Sequence, residues 1–360
     1  MQKHRLVIIG GGYIGVELAK SLEGEMEVTL VEPRGAFVHA PAMIRALVDV
    51  KVQEKSIIPY DKLLKNGRLI RSRAIDVKEN AVTLENGETL DADSVVIATG
   101  ASNGGIFKPA DESIDAFIAA KATARDQIEA AQRIIIVGAG AVGTELAGEI
   151  AHAHPDKQLT LISTQKTLFP EFPAALGGKL SAKLRDMGVD LVLGQRVSDL
   201  QSSVAPYPGG ATLTDGTRLE ADLIIPAIGS KPATALLDHL PGVQKSPDGR
   251  VKVDPFLRPS SLPNVFAAGD VVDAGDAMTI VAASRQHPWL AKMLKKRASG
   301  TPLEKQKPYS PWGSPPILVP LGPKRGNSYL MVATFGDWVT KQMKGSDLFI
   351  TKYRKIFGYA

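Results

Sequence analysis

The stretch LVIIGGGYIG, residues 6–15, decides the fold of this chain. Four apolar residues typical of a buried strand run directly into Gly10, Gly12 and Gly15. In this GxGxxG spacing the first glycine makes a tight turn, the second lets a pyrophosphate approach the backbone, and the third lets the next helix pack closely on the strand. The N-terminus of that helix offers free N–H groups to the phosphates. The stretch therefore predicts a dinucleotide-binding unit.

The same pattern occurs a second time, as IIIVGAGAVG at residues 134–143. One GxGxxG alone is weak evidence, but each copy here follows a buried-strand pattern and precedes a helical one. Both copies continue to a hairpin signal, Asn86-Gly87 in the first and Asp215-Gly216 in the second. The period of about 130 residues indicates an internal duplication. Two dinucleotide sites in one chain suggest electron transfer between a bound flavin and a visiting nicotinamide.

The two copies differ where the adenosine ribose would bind. Glu32 ends the second strand of the first copy, twenty residues past Gly12, and a carboxylate at that position accepts hydrogen bonds from the ribose hydroxyls. In the second copy Ser163 stands where an acid would select NADH, and Lys166 follows three residues later. We therefore expect loose discrimination between NADH and NADPH.

The order of these signals predicts an α/β fold with two nested Rossmann-like domains and a small C-terminal α+β module. A strand at Asn264–Ala268 delivers Asp270 at its carboxyl end, where ligands of open α/β sheets bind. The predicted FAD-binding domain comprises residues 1–104 and 254–307, and the NAD(P)H-binding domain comprises residues 105–253. Residues 301–316 contain five prolines and are typical of a linker, and residues 308–360 form the third unit, a membrane or dimer module.

Composition excludes several classes of protein. The 360 residues contain no cysteine, which excludes flavoenzymes that pass electrons through a cysteine pair and predicts no thiolate metal site. No run of eighteen apolar residues and no signal-peptide pattern are present, so we expect a cytoplasmic protein, peripheral on the inner membrane face where it meets a bilayer.

The C-terminal part is basic. Residues 291–360 hold thirteen Lys/Arg against three Asp/Glu, although the whole chain carries a net charge of only +5. Residues 335–357 interleave aromatic and aliphatic residues with five cations, and Gly345 is expected to split them into two short amphipathic pieces. That pattern favours a peripheral contact with anionic lipid. Internal packing on the flavin domain and a homodimer contact are the alternatives.

With these motifs identified, the chain resembles the flavoproteins with two dinucleotide-binding domains. Five motifs agree in order: the first fingerprint with Glu32, the stretch Ile97–Gly100, the second fingerprint extended to Glu145, Ile228-Gly229, and Phe266–Asp270. The segments 37–48 and 346–351 are similar to those of the ferroptosis-suppressor or apoptosis-inducing-factor-like NAD(P)H:quinone oxidoreductases. Bacterial type II NADH dehydrogenases are the next most similar group. The resemblance implies non-covalent FAD, NADH or NADPH as co-substrate, and a quinone or other small electron acceptor.

The resemblance also implies site residues. Glu145 would reach the nicotinamide, His39 would lie near the flavin ring, and Lys355 would act from the tail. The cofactor-binding residues that it implies are Gly10, Gly12, Gly15, Glu32, Arg45, Ala74, Ala98, Thr99, Gly100, Gly138, Gly140, Gly143, Ser163, Gly229, Gly269, Asp270 and Met278. The chain departs from the family at Ala277-Met278, where the family has a lysine before the methionine.

Two other functions stay open from the sequence. One is a reductase of a small electron-carrier protein of the rubredoxin or ferredoxin type. The other is a redox-sensing or nucleic-acid-binding flavoprotein that uses the basic tail, since aromatic residues among lysines suit single strands. A quinone reductase without a nucleic-acid partner is favoured, because the motifs specify cofactors that carry the redox chemistry themselves.

Overall fold

A computed structural model describes residues 3–102, 105–110 and 112–359 of the chain. The predicted domain boundary at residue 104 lies outside the described residues. The mixed α/β architecture is the predicted one: two parallel sheets, each followed along the chain by antiparallel ribbons, and a C-terminal α+β unit.

The first fingerprint begins a five-stranded parallel sheet. Its strand order is Val265–Ala267, Ser94–Ile97, Arg5–Ile9, Glu27–Val31 and Arg68–Ile70. The central strand, Arg5–Ile9, is buried from its second residue onward, as expected of a parallel strand that is covered on both faces. The strand at one edge, Val265–Ala267, comes from the C-terminal half of the chain. The first sheet is therefore built from two chain segments, and the second sheet is formed by residues that lie between them in the sequence.

The second fingerprint begins a four-stranded parallel sheet. Its order is Val189–Leu193, Gln158–Ser163, Arg133–Val137 and Leu223–Pro226. In both sheets the fingerprint strand is central, so each glycine loop lies at the carboxyl edge between two neighbouring strands. That edge is where open α/β sheets bind ligands.

The other elements connect or cover the two sheets. The helices span Tyr13–Leu22, Ala40–Arg45, Val50–Ser56, Ile114–Ala130, Ala141–Ala153, Ala174–Asp186, Ile280–Ala298, Asp337–Thr340 and Ile350–Ile356, with a 3-10 turn at Leu303–Lys305 and a π-helix at Lys341–Gly345. The short strands span Ala36–Val38, Ile57–Pro59, Ala74–Lys78, Ala81–Leu84, Thr89–Asp91, Ala101–Ser102, Ala211–Thr212, Arg218–Leu219, Lys231–Pro232, Val251–Lys252, Val272–Asp273, Ile317–Leu321, Arg325–Tyr329 and Thr334–Phe335.

The C-terminal unit contacts both dinucleotide-binding domains. Its first strand packs on the helix Ala141–Ala153 so closely that a Cβ on Gly148 would lie 2.5 Å from the Cα of Leu321. Its last helix inserts Tyr353 and Phe357, both fully buried, into the core of the first domain. The C-terminal unit therefore bridges the two dinucleotide-binding folds. None of the helices in the described ranges is long and apolar enough to cross a membrane.

Candidate active site

The first glycine loop has the geometry that a dinucleotide needs. Gly10 has φ of +105°, and a Cβ there would lie 2.4 Å from the carbonyl oxygen of Ala98. A Cβ on Gly15 would lie 1.8 Å from the carbonyl oxygen of Gly10. Gly12, in contrast, faces open space, with no atom within 4 Å of an added Cβ. Two glycines are therefore required for packing, and the third leaves room for a ligand.

The second loop repeats this arrangement. Gly138 has φ of +109°, and a Cβ there would lie 2.6 Å from the carbonyl oxygen of Ala227. A Cβ on Gly143 would lie 1.8 Å from the Gly138 oxygen, while Gly140 again faces open space. Gly12 and Gly140 are the N-caps of their helices, and neither helix has a side-chain cap. Both helix N-termini thus keep N–H groups available for phosphate, so the two loops fit two dinucleotides.

Glu32 is held at the carboxyl edge of the first sheet. Its carboxylate accepts a hydrogen bond of 2.6 Å from the Gly11 N–H and pairs with the Arg34 guanidinium at 2.8 Å. Burial raises the pKa of Glu32, but the hydrogen bonds and charge of Arg34 outweigh burial and hold that pKa below its usual value. Glu32 is therefore an ionised, positioned acceptor where the ribose of an adenosine is expected.

Three further predicted residues lie at the same edge. Ala98 is buried beside Gly10, the Thr99 hydroxyl donates to the carbonyl of Ala233 at 2.7 Å, and Gly100 adopts φ of +72°. The Ala233 N–H also donates to the carbonyl of Gly100 at 2.9 Å, so both Thr99 and Gly100 tie the two dinucleotide-binding folds together. Asp270 follows the edge strand Val265–Ala267 of the same sheet; its carboxylate pairs with Lys108 at 3.2 Å and is partly exposed.

The other predicted cofactor contacts are more dispersed. Gly269 precedes Asp270, and its N–H donates to the Gln286 amide oxygen at 2.7 Å. Met278 is half-buried just before the helix Ile280–Ala298, and Ala74 begins an antiparallel strand opposite Leu84.

Ser163 ends its strand in the second sheet, and its hydroxyl accepts a hydrogen bond of 3.1 Å from the Gln165 N–H. Gly229 is exposed after the strand Leu223–Pro226 with φ of +51°. Ser163 and Gly229 thus follow parallel strands at the carboxyl edge that also carries the second glycine loop.

Glu145 lies at the junction of the two dinucleotide-binding folds and the C-terminal unit. Its Oε1 is 2.6 Å from the Nζ of Lys344, and both side chains are largely buried. Burial raises the pKa of Glu145 above its usual value, although the adjacent ammonium of Lys344 opposes the increase. Lys344 also donates to the carbonyl of Leu318 at 3.2 Å. A buried carboxylate is thus held beside a single cation from the tail.

Arg45 forms a second ion pair at this junction. Its guanidinium donates to both carboxylate oxygens of Glu149, over 2.8–3.0 Å, with side chains 9% and 3% exposed. Glu149 lies one turn after Glu145 on the same helix. Arg45, expected as a flavin contact, therefore joins the first domain to the helix of the second fingerprint through a bidentate ion pair.

His39 is fully buried between the first domain and the tail. Its Nε2 lies 2.6 Å from the carbonyl oxygen of Leu348, and its Nδ1 lies 3.1 Å from the hydroxyl of Tyr13. Because a carbonyl only accepts, Nε2 carries the proton and Nδ1 accepts from the tyrosine. Burial lowers the pKa of His39 to about 4. His39 is therefore a neutral imidazole that connects the flavin-domain segment to the C-terminal unit.

The structure places Lys344, not Lys355, in this cluster. Lys355 is exposed on the last helix, where we find no partner for it among the described residues. Glu149 was not predicted as a site residue, because in the sequence it is visible only as a second acid four residues after Glu145. Lys344 could have been found only by knowing how the tail folds.

Comparison with known proteins agrees with this geometry. Residues 60–286 match a family model described as pyridine nucleotide-disulphide oxidoreductase. Residues 5–87 match a second family model with the same description. The chain belongs to the pyridine nucleotide-disulphide oxidoreductase family. FAD and NAD(P)H are the cofactors of this family, as predicted, and the two glycine loops fit them.

Individual relatives show which members of this family the chain is similar to. The chain is 31% identical to apoptosis-inducing factor homolog B of Dictyostelium discoideum, over 98% of this chain and 96% of the relative. It is 27% identical to human ferroptosis suppressor protein 1, over 96% and 94% of the two chains. The predicted resemblance is thus confirmed. A sulfide:quinone oxidoreductase of Aquifex aeolicus shares the fold, with a TM-score of 0.74 and 16% identity over 98% of this chain and 90% of that one.

Proposed function

We propose that this protein is an FAD-dependent oxidoreductase that reduces a quinone with NADH or NADPH. The observation that carries the proposal is the buried cluster at the junction, where Glu145 of the second fingerprint helix meets Lys344 of the tail. Both dinucleotide loops open at the carboxyl edges of sheets that this cluster joins. When bound, FAD accepts a hydride from the nicotinamide and passes two electrons to the acceptor.

In this proposal Glu145 and Lys344 position the nicotinamide and tune the charge around it. Glu145 lies in the first turns of the helix that begins at Gly140, so its carboxylate is fixed relative to the phosphate-binding loop. Lys344 keeps part of the carboxylate's negative charge compensated, which counters the effect of burial. A carboxylate of this kind accepts a hydrogen bond from the carboxamide of a nicotinamide while its other oxygen stays with the lysine.

Aromatic side chains pack around His39 in the core of the first domain. Tyr13, Phe37 and Tyr353 surround His39 with ring centroids 5.0–6.3 Å from the imidazole. Phe37 and Tyr353 are buried and stack on each other, so they give this region an apolar environment rather than an open binding surface. The chain also contains no cysteine with which to relay electrons through a dithiol, so the acceptor must take them from the flavin directly.

One steady-state assay tests the proposal. The FAD-loaded protein is supplied with NADH and, in separate reactions, a short soluble quinone, a small iron–sulfur carrier protein, or air alone. We expect rapid NADH oxidation only with the quinone. Turnover that depends on the carrier protein would favour the reductase alternative, and a rate that no acceptor increases would contradict quinone reduction altogether.

We also propose that part of the tail contacts a lipid surface. Six of the ten apolar residues of segment 335–357 pack internally: Leu348, Phe349, Ile350, Tyr353, Ile356 and Phe357. Trp338 and Met343 stay 74% and 44% exposed, with Lys341 exposed between them. Met343 follows Trp338 by five positions; Trp338 lies in the short helix Asp337–Thr340 and Met343 in the π-helix Lys341–Gly345. These three residues are called the tail patch below.

A further inference from the structure

Two neighbouring loops close the second sheet at the site of the adenosine ribose. The strands Gln158–Ser163 and Val189–Leu193 run parallel and end opposite each other. Beyond them, the Gln195 N–H donates to the carbonyl of Ser163 at 3.0 Å, and the Gly194 N–H donates to the carbonyl of Gln165 at 2.9 Å. These two hydrogen bonds hold the loop at 194–196 against the loop at 164–166.

This pairing brings two cations to the same edge. The Cγ of Lys166 lies 3.6 Å from the position of a Cβ on Gly194, so its aliphatic stem lies on that glycine. Arg196 follows two residues later, and its carbonyl accepts from the Thr214 N–H at 2.9 Å, which fixes its backbone. Lys166 and Arg196 are both exposed, so their charged ends are accessible from solvent.

The acids near this edge do not cancel both cations. Asp215 accepts hydrogen bonds of 2.9 Å from the Gln195 amide and from the Thr217 N–H, which keeps its carboxylate on the side of the hairpin. Within the part of the chain that the structure describes, Asp215 forms no ion pair with Lys166 or Arg196. Ser163 itself places a hydroxyl, not a carboxylate, at the end of its strand, so no negative side chain there repels a phosphate.

We propose that Lys166 and Arg196 bind the 2′-phosphate of NADPH. The adenosine ribose of NADPH would lie at Ser163, with the pyrophosphate over Gly140, and the 2′-phosphate on that ribose would then reach the two cations. This inference rests on the proposed function, because it assigns one end of the same dinucleotide site. It makes Arg196 a specificity-determining residue, a role that no GxGxxG or strand pattern signals.

Equilibrium binding tests the proposal without turnover. The FAD-loaded protein, whose first site is filled, is titrated calorimetrically at low salt with adenosine 2′,5′-bisphosphate and, separately, with 5′-AMP. Arg196→Ala and Lys166→Ala are compared with Arg185→Ala. Arg185 is also exposed, but it ends the helix Ala174–Asp186 at the amino edge of the same sheet, away from the nucleotide.

We expect each site variant to weaken binding of the 2′,5′-bisphosphate by roughly five- to tenfold and to leave 5′-AMP unchanged. Arg185→Ala should change neither, and Ser163→Asp should lose the bisphosphate selectively. Equal affinity of all variants for the bisphosphate, with 5′-AMP still bound, would overturn the assignment of Lys166 and Arg196 alone. Failure of the wild-type protein to bind either nucleotide would instead overturn the second dinucleotide site and the proposed function with it.

Discussion

The Nζ of Lys344 lies 2.6 Å from the Oε1 of Glu145, and this contact joins the C-terminal unit to the helix of the second fingerprint. The two residues are 199 positions apart in the chain. Both side chains are nearly inaccessible to water, so neither charge has solvent to compensate it if the other is removed. The pair thus makes the tail a structural part of the candidate active site.

Lys344→Met should impair both stability and activity. Removing one partner of a buried ion pair leaves an uncompensated charge and typically costs about 3–5 kcal/mol. Without the ammonium, burial should raise the pKa of Glu145 further, so the remaining activity should increase at higher pH. Urea unfolding and the pH dependence of kcat/KM measure the two effects.

The double variant Lys344→Met with Glu145→Gln separates charge from packing, because it removes both charges and should recover most of the lost stability. Lys355→Met provides the direct comparison for the residue expected from sequence. An equal loss of kcat/KM in Lys355→Met would contradict the assignment of the lysine role to position 344.

Arg45→Met should destabilise the contact between the two dinucleotide-binding folds. Glu149 would stay buried with no cation, at a cost of about 3–5 kcal/mol. Replacing both partners, Arg45→Met with Glu149→Leu, should restore much of the free energy of unfolding, since an apolar pair of similar volume needs no desolvation of charge. Chemical unfolding of the three proteins gives the comparison. A double variant no more stable than Arg45→Met would mean that the ion pair has a role that packing cannot replace.

His39 should make the protein sensitive to mild acid. The pKa of His39 is about 4 in the folded protein, against 6.5 for an ordinary histidine. Between these two pH values the imidazole is therefore protonated in the unfolded chain and neutral in the folded protein. The stabilisation is complete above pH 6.5 and is lost as the pH falls towards 4, with a total of about 3 kcal/mol. His39→Gln keeps a donor for the Leu348 carbonyl but does not titrate. The free energy of unfolding of this variant should fall less steeply between pH 6.5 and 4.5.

The matched control is His239→Gln, because His239 is exposed in the second domain. That variant should follow the wild-type pH dependence. If His39→Gln and the wild-type protein lose stability in parallel, then the buried imidazole is not the group that titrates.

Asp270→Asn should lower flavin occupancy. Asp270 lies at the carboxyl edge of the first sheet, and its partner in the described ranges is the partly exposed Lys108. A charge-assisted hydrogen bond to FAD is worth about 1.5–3 kcal/mol, so its loss should weaken FAD binding by roughly ten- to a hundredfold. Flavin absorbance of the purified protein and its apparent Kd after reconstitution measure this. Asp190→Asn, at an exposed position of the second domain, should retain its flavin. A colourless wild-type protein that takes up no FAD would contradict the first dinucleotide site.

The sequence predicts local structure well where a single residue type is required. Gly10 and Gly138 adopt φ values that other residues rarely reach, and Gly15 and Gly143 leave no room for a Cβ, so the glycines themselves specify the strand–turn–helix geometry. The parallel sheets follow from continuous apolar runs. These features depend on residues close in sequence, and periodicity is sufficient to predict them.

The sequence does not predict contacts that depend on the path of the tail. Residues 341–345 form a π-helix, and Leu348 and Phe349 adopt left-handed conformations with φ of 53° and 65°. These irregularities change which side chains face inward, so counting along an ideal helix could not identify Lys344 as the partner of Glu145. The pairing of Arg45 with Glu149, 104 residues away, likewise depends on how the two domains pack.

The tail patch should bind anionic vesicles, and this is the prediction that separates a lipid contact from simple internal packing. Trp338 and Met343 are the large apolar side chains of segment 335–357 that stay exposed among the described residues, and Lys341 lies between them. Trp338→Ser with Met343→Ser should reduce vesicle binding by roughly tenfold or more, because burial of each side chain is worth about 1.5–3 kcal/mol when complete. Lys341→Glu should weaken binding further by about 1 kcal/mol per unit of charge, and more at low salt.

The matched control is Ile75→Ser with Val204→Ser, two exposed apolar residues on the other domains, at 50% and 41% exposure. Co-flotation with anionic and with neutral liposomes, in parallel with assays on a long-chain and a short soluble quinone, completes the test. The patch variant should lose activity on the long-chain quinone and keep activity on the soluble one. If the wild-type protein does not float with anionic liposomes at low salt, the tail patch does not bind lipid and the tail has a purely structural role.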